Sequence, residues 1–264
     1  FNIMGKIISI VNQKGGVGKT TTAVNLSASL AAAERRVLLV DFDPQANSSS
    51  GLGVRLTSDE PCIYEALLGL EPVEKTIRKS LFETFSLVPS HIRLVGAEQE
   101  LTSLPNWEHR LKELLASISG NYELVLVDTP PSLGVLTLNS LVAAESIIIP
   151  IQCEYYALEG LGQLLGTIRR IQKKLNPELK IEGVLLTMFD RRLNLSWQVA
   201  EEIRDYFRDA VFETIIYRNV RLSEAPSFGK PVILYDIHSR GAQNYIALAE
   251  EIIEKNEKSI RQRA

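Results

Sequence analysis

Lys14-Gly15-Gly16-Val17-Gly18-Lys19-Thr20-Thr21 is the stretch whose reading decides the fold. An apolar run, Ile7-Ile8-Ser9-Ile10-Val11, precedes it, and a helical pattern over residues 23–33 follows. Strand, glycine-rich turn and helix are the setting of a phosphate-binding loop. Three glycines let the backbone curl until successive N–H groups point inward at phosphate oxygens. The N-terminus of the following helix adds its partial positive charge. Lys19 brings a point charge to the β- and γ-phosphates, the Thr20 hydroxyl is placed to ligate Mg²⁺, and Gly15, Gly16, Val17, Gly18 and Thr21 complete the cradle. A glycine turn with only a structural task leaves Gly-Lys-Thr-Thr at the helix start unexplained. The stretch is a nucleotide site.

Outward from the loop, the pattern predicts strands at residues 36–41, 85–89, 122–128, 146–151, 181–188 and 211–216. Near-continuous Val, Ile and Leu in these runs marks strands buried on both faces, as in a parallel sheet. Helices are predicted at 94–103, 107–119, 133–144, 158–175, 196–207 and 242–255, with short ones at 63–69 and 73–79. Residues 47–61, rich in Ser and Gly, read as loop, and so does the Arg-, Ser- and Pro-containing stretch up to Pro231. Strands alternating with helices predict an α/β fold, a doubly wound, mainly parallel sheet flanked by helices. Residues 1–264 read as one domain, with Phe1-Asn2-Ile3 as a remnant ahead of Met4 and 256–264 as a flexible tail.

The 264 residues are ample for a sizeable core, and a hydrophobic share of 45% with 23% charged residues is ordinary for a soluble globular protein. No apolar run approaches the roughly 20 residues that span a bilayer, and no signal peptide is expected, since Met4-Gly5-Lys6 leads directly into the first strand. Two cysteines, Cys62 and Cys153, predict small core hydrophobes in a reducing cytoplasm, not a disulfide framework. The net charge of −3 means that any nucleic-acid binding must come from a local patch.

Catalytic groups of open α/β sheets sit at the carboxyl ends of strands. Two such ends are acidic: Val40-Asp41-Phe42-Asp43-Pro44-Gln45 and Val125-Leu126-Val127-Asp128-Thr129-Pro130-Pro131. A carboxylate there is costly unless it faces a cation or donors, and beside a phosphate loop Mg²⁺ with its waters is the partner. Asp128 is therefore expected at the metal, Asp43 beside the attacking water, and Asp41 near the metal's waters or Thr20.

The first loop position departs from the usual GxxxxGK[ST] pattern, because Lys14 stands where glycine is standard. A lysine cannot assist the turn as glycine does, and its charge suits the negative charge that builds up in phosphoryl transfer. This lysine marks the deviant Walker A motif, and with it the chain resembles the ParA/MinD group of P-loop ATPases. DFDPQ, LVLVDTPPS, PIQCEYYALEGL, LLTMFDRR and RNVRLSEAPSFGKPV extend the likeness from about Lys6 to Ala249, the last segment being specific to the chromosomal ParA/Soj branch. The resemblance implies an ATPase that binds ATP and Mg²⁺ and closes into a nucleotide sandwich dimer. In that state family members bind DNA without sequence preference, and a ParB-type centromere-binding partner stimulates hydrolysis and releases the dimer. Carried over by motif, Lys14 acts across the dimer interface, Gly15 is the small residue at that contact, and Asp43 supports hydrolysis beside Lys19. Asn219 contacts adenine, and Tyr217 stands at the adenine wall where the family usually has proline. A cytoplasmic, nucleoid-associated protein is implied.

Charge for a DNA backbone is sought in Arg191, Arg192, Arg218, Arg221, Lys230 and Arg240; from Thr214 to Arg240 bases outnumber acids by four to two. Loop arginines of two subunits can join into a phosphate-tracking stripe, while a solvated, salt-bridged surface is the alternative. No recognition-helix signature is present, so base readout is not expected. His91, His109 and His238 lack partners at motif spacing, and Trp107 and Trp197 read as packing anchors. A MinD-like membrane-associated positioning ATPase is the competing function, but residues 250–258 are acidic and mixed rather than basic and amphipathic. Neither cysteine sits in the setting of a dimer-bridging iron–sulfur cluster, and nothing supplies the second pocket of a small-molecule ligase or kinase.

Overall fold

The computed structural model describes residues 5–155 and 161–263. The first half runs β1 (Lys6–Ile10), α1 (Lys19–Ala32), β2 (Val37–Asp41), α2 (Asn47–Gly51), α3 (Ile63–Leu68), β3 (Arg78–Lys79), β4 (Phe85–Val88), α4 (Leu94–Leu101) and α5 (Arg110–Ile118). The second runs β5 (Leu124–Asp128), α6 (Val135–Ala143), β6 (Ser146–Gln152), α7 (Leu161–Lys174), β7 (Lys180–Thr187), α8 (Asn194–Phe207), α9 (Val220–Glu224), α10 (Val232–Tyr235) and α11 (Arg240–Arg263).

Seven strands form one sheet in the order β3-β4-β2-β5-β1-β6-β7, every neighbour parallel except β3 on β4. The two-residue period of a strand divides its apolar side chains between two cores. Leu38, Val40, Val125, Val127, Ile147 and Ile149 pack toward α3 to α8. Ile8, Ile10, Leu39, Leu126 and Ile148 pack toward α1 and α11. The chain leaves β1 for β2 on one side and later fills the other side with β6 and β7. The crevice at the carboxyl end of β1 is thus the switch point where such sheets hold ligands.

Several expected boundaries shift, each for a local reason. Residues 211–216 are not a strand: Phe212 and Ile216 donate to the Val184 and Leu186 carbonyls of β7 at 3.0 and 2.9 Å, but the chain bulges away between them, and only isolated bridges form, Val184 with Val211 and, past the end of β7, Phe189 with Tyr217. The N–H groups of Glu213 and Thr214 instead donate to the Glu251 carboxylate of α11, at 3.0 and 3.1 Å, so no ladder forms. Residues 73–79 divide into a 3-10 turn, Val73–Lys75, and the edge strand β3. The stretch before Pro231 contains α9 and a 3-10 turn at Ala225–Phe228, and residues 47–51 of the expected serine-rich loop are α2. The helix α11 continues to Arg263, across most of the stretch read as a tail. The expected start of the 158–175 helix and the remnant at residues 1–3 lie outside the described residues.

A back-to-back glycine contact seats α2 on the segment behind α9. Gly53 (φ 78°) and Gly229 (φ 63°) are both left-handed, and a Cβ on Gly229 would lie 2.8 Å from the Gly53 Cα. Gly229→Ala is expected to cost roughly 2 kcal/mol or more through positive φ and the clash together, a fall of about 4 °C or more in unfolding midpoint. Gly162→Ala on α7, where a Cβ meets nothing within 4 Å, leaves the midpoint unchanged or raises it. Equal midpoints for the two variants, measured by circular dichroism, would contradict the constraint.

Candidate nucleotide site

Between β1 and α1 the backbone turns through Gly16 (φ 75°) and Gly18 (φ 91°), both in the left-handed region. Gly18 is the residue before α1 and offers no side chain, so no side-chain cap satisfies the first N–H groups of that helix. Uncapped N–H groups at a helix start favour an anion. Neighbouring strands suspend the loop by side chains. Asn12 Nδ2 donates to the Pro150 carbonyl at 2.7 Å, and Asn12 Oδ1 accepts from the Lys14 N–H at 3.0 Å. Thr187 Oγ1 at the end of β7 donates to the Val17 carbonyl at 2.8 Å, and Thr129 Oγ1 holds the Ile10 carbonyl at 2.8 Å. The loop is therefore fixed before a ligand arrives.

An open cavity of about 280 Å³ lies against this loop, with Gly15, Lys19, Thr20, Asp43, Asn47 and Met188 among its walls. Lys19 is buried, and its ammonium donates to the Lys14 carbonyl at 3.0 Å. Burial lowers the Lys19 pKa, and the Asp128 and Asp43 carboxylates oppose that shift. Asp128, wholly buried, lies behind Thr20 and Lys19. Its Oδ2 accepts from Ser48 Oγ at 2.8 Å, while Oδ1 has no hydrogen-bond partner among the described residues. A bare, buried carboxylate oxygen beside a phosphate loop fits the hydration shell of a divalent cation. Asp43 lines the cavity, with Oδ1 held by the Gln45 N–H at 2.9 Å.

Asp41 does not take the place expected for it. It is wholly buried, and its Oδ2 accepts from the Ser49 N–H at 2.7 Å and the Ser49 hydroxyl at 2.6 Å. Oδ1 accepts from the Asp43 N–H at 3.3 Å, so the carboxyl is used up inside the protein and does not line the cavity. Asp41 and Asp128 stand in register on β2 and β5. Burial raises the pKa of both, and the Asp128 charge raises Asp41 further.

Tyr217 and Asn219 follow the irregular 211–216 segment. The Tyr217 ring lies beneath two guanidinium groups, Arg191 at 4.4 Å and Arg240 at 5.2 Å, and its hydroxyl accepts from Arg191 at 2.7 Å. The Asn219 side chain caps α9 by accepting from the Arg221 N–H. Among the other basic candidates, Arg192 pairs with Asp190, Arg218 with Glu154, and Arg221 with Glu224 and Asp236. Lys230 is exposed. Trp197 packs edge-on against Phe189 and donates to the Arg191 carbonyl, an anchoring contact that leaves half of its surface open.

The site also uses residues that pattern reading passes over. Ser48 and Ser49 hold the two buried carboxyls from α2, and Asn12 and Thr187 hang the loop. The one signal for the serines is Asn47-Ser48-Ser49-Ser50 directly behind the acidic strand end, which reads equally well as a surface loop.

Comparison with known proteins agrees with this geometry. A family described as an AAA domain matches residues 5–181. The sporulation initiation inhibitor protein Soj of Bacillus subtilis is 57% identical over 249 residues, 94% of this chain and 98% of that one. The chromosome partitioning protein ParA of Myxococcus xanthus is 55% identical over 253 residues, 96% and 89% of the two chains. The chain belongs to the ParA/Soj family. A solved structure named cobyrinic acid a,c-diamide synthase from Mycobacterium smegmatis, with bound ATP analogue and magnesium, superimposes with a TM-score of 0.78. It shares 38% identity over 85% of this chain and 93% of that one, below the identity to Soj and ParA. No helix among the described residues is long and apolar enough to cross a membrane.

The paired acids give this ParA/Soj chain a pH signature. With its pKa raised, native Asp41 keeps a proton that the unfolded chain has lost, so stability falls as pH rises from the ordinary carboxylate range toward the raised value. Asp41→Asn has no such proton. Its unfolding midpoint is expected to decline less than the parent's between about pH 5 and about pH 8, each ~1 kcal/mol appearing as about 2–4 °C. Parallel profiles for the two chains would remove Asp41 from the pH dependence.

Proposed function

We propose that this chain is an ATP-dependent DNA-segregation switch, one ATPase domain that hydrolyses ATP with Mg²⁺. Support comes chiefly from the 57% identity to Soj over nearly the whole chain, with Lys14 at the head of the loop. In this reading the loop N–H groups of residues 15–21 and Lys19 hold the phosphates, with Tyr217 and Asn219 toward the base. Thr20 and Asp128 would hold the metal, with Asp43 reaching it through water, and the bound cation would supply neutralisation of charge on the phosphate oxygens. Asp43, clamped by the Gln45 N–H, orients the attacking water. Burial of Lys19 and Asp128 keeps water from screening these charges.

Lys14 supplies the switch. Its ammonium makes no hydrogen bond or ion pair among the described residues, whereas Lys19 is already turned onto the loop, so Lys14 is free to reach the phosphates of a second copy. A contact made only when both copies hold ATP gives the differential affinity a nucleotide-driven homodimer requires. The dimer then joins Arg191, Arg192, Arg218, Arg221, Lys230 and Arg240 of two copies for non-specific double-stranded DNA. The ion pairs of Arg218 and Arg221 are exposed and weak, so DNA phosphates displace their carboxylates readily, whereas Arg192 has first to leave a two-pronged pair with the largely covered Asp190. A ParB-type partner stimulates hydrolysis and returns the chain to the cytoplasm from the nucleoid. A MinD-like role on the membrane surface is disfavoured because residues 250–258 carry four glutamates against two lysines and so lack the basic amphipathic face that such a helix needs.

DNA retention with ATP, ADP and no nucleotide tests the proposal. Retention is expected with ATP alone; Lys14→Ala loses it with dimerisation, and Asp43→Ala keeps both but hydrolyses no ATP. Equal retention with ATP and ADP would end the switch reading. Arg218→Glu is expected to weaken DNA binding by about tenfold or more while the ATP-dependent dimer persists; loss of the dimer too would refute the assigned patch.

A further inference from the structure

Ser48 belongs to no motif, yet its hydroxyl donates to Oδ2 of the Asp128 carboxylate at 2.8 Å, the firmest contact on that group; the Thr20 hydroxyl stands beside the same carboxylate and also favours its charged form. Both residues are wholly buried. Rotation of an aspartate carboxyl about its last torsion is broad and nearly two-fold, so the side chain does not set its own plane. Here the 2.8 Å bond from Ser48 fixes one of its oxygens. With Oδ2 taken by Ser48, Oδ1 is the oxygen left for a ligand.

The donor is itself held by structure the sequence does not advertise. The helix α2 begins after Ala46, a non-glycine residue in the left-handed region (φ 52°), where an L side chain costs of order 1 kcal/mol. The Ala46 N–H donates to the Asp43 carbonyl at 2.9 Å and keeps the turn closed. One residue after Ser48, Ser49 grips Asp41 through its N–H and hydroxyl, and its Oγ accepts from the Ser90 N–H at 3.0 Å at the end of β4. The short helix is thus pinned at both carboxyls and to a third strand. Side-chain bonds of this kind orient a metal-holding group without touching the metal.

We propose that Ser48 is a positioning residue for the metal-nucleotide site: it fixes the plane of Asp128 so that Oδ1 meets the hydrated Mg²⁺ that accompanies the nucleotide. The proposal rests on the Mg²⁺-nucleotide reading given under Proposed function. Ser49, by contrast, acts on Asp41 and serves stability.

Calorimetric titration of the full chain with ADP, once with Mg²⁺ and once with EDTA, separates the two roles without recourse to turnover. In Ser48→Ala the Mg²⁺-dependent gain in ADP affinity is expected to shrink about tenfold while affinity in EDTA stays as in the parent. Ser48→Thr, which keeps the hydroxyl, restores the gain; Ser49→Ala lowers the unfolding midpoint and leaves the gain in place. If Ser48→Ala does not fold, Ser48→Cys carries the comparison, its weaker thiol donor giving an intermediate loss. An undiminished gain in Ser48→Ala or Ser48→Cys, or an equal loss in Ser49→Ala, would overturn the role of Ser48. An unmodified chain that binds ADP equally with Mg²⁺ and EDTA would overturn the metal-nucleotide reading and Ser48's role with it.

Discussion

Asp41 and Asp128 end two neighbouring strands in register, and both carboxyl groups are wholly removed from water. Two like charges side by side in a low-dielectric interior repel strongly, and each resists ionisation there. The structure meets this constraint unequally. Asp41 receives three donors and is closed off, whereas Asp128 is held at Oδ2 by Ser48, has the Thr20 hydroxyl beside it, and keeps Oδ1 without a hydrogen-bond partner among the described residues. A buried lysine stands on the cavity side of Asp128, and its own depressed pKa has the same origin, removal from water. This imbalance makes one acid structural and leaves its neighbour to chemistry.

The surrounding architecture serves that arrangement. A parallel sheet with two apolar faces brings the ends of β1, β2 and β5 to one crevice, and the order in which the strands are filled opens it beside β1. Three neighbouring segments hang the phosphate loop by Asn12, Thr129 and Thr187, so its N–H groups are aligned in advance. The helix α2 closes the other side, and the contact of Gly53 with Gly229 seats it on the segment that carries the basic residues. Nucleotide site and basic surface are packed together through one short helix.

Much of this could be read from residue order because each part has a local cause. Three glycines before Lys19 force the turn, and runs such as Leu124-Val125-Leu126-Val127 suit only a strand covered on both faces. What escaped depends on distant partners. Residues 211–216 have a strand's composition, yet between the bonds of Phe212 and Ile216 to β7 the N–H groups of Glu213 and Thr214 turn to Glu251 on α11. Asn47 to Gly51 has a loop's composition, yet buried carboxyls on two strands give its serines a helical task. Asp41 and Asp128 are alike as sequence, each closing an apolar run. Only the count of donors around them separates their roles.

The central claim is that Asp128 is a buried carboxyl, only partly compensated by Ser48 and Lys19, with one oxygen held ready for a metal-bound nucleotide. Thermal unfolding of Asp128→Asn beside the parent, without ligand and with Mg²⁺ and ADP, tests it most directly. Asparagine still accepts from Ser48 but carries no charge beside Asp41. The account predicts a higher midpoint than the parent's without ligand and loss of most of the stabilisation by Mg²⁺-ADP, a crossing of the two chains' order. A lower midpoint without ligand, together with undiminished stabilisation by Mg²⁺-ADP, would contradict it.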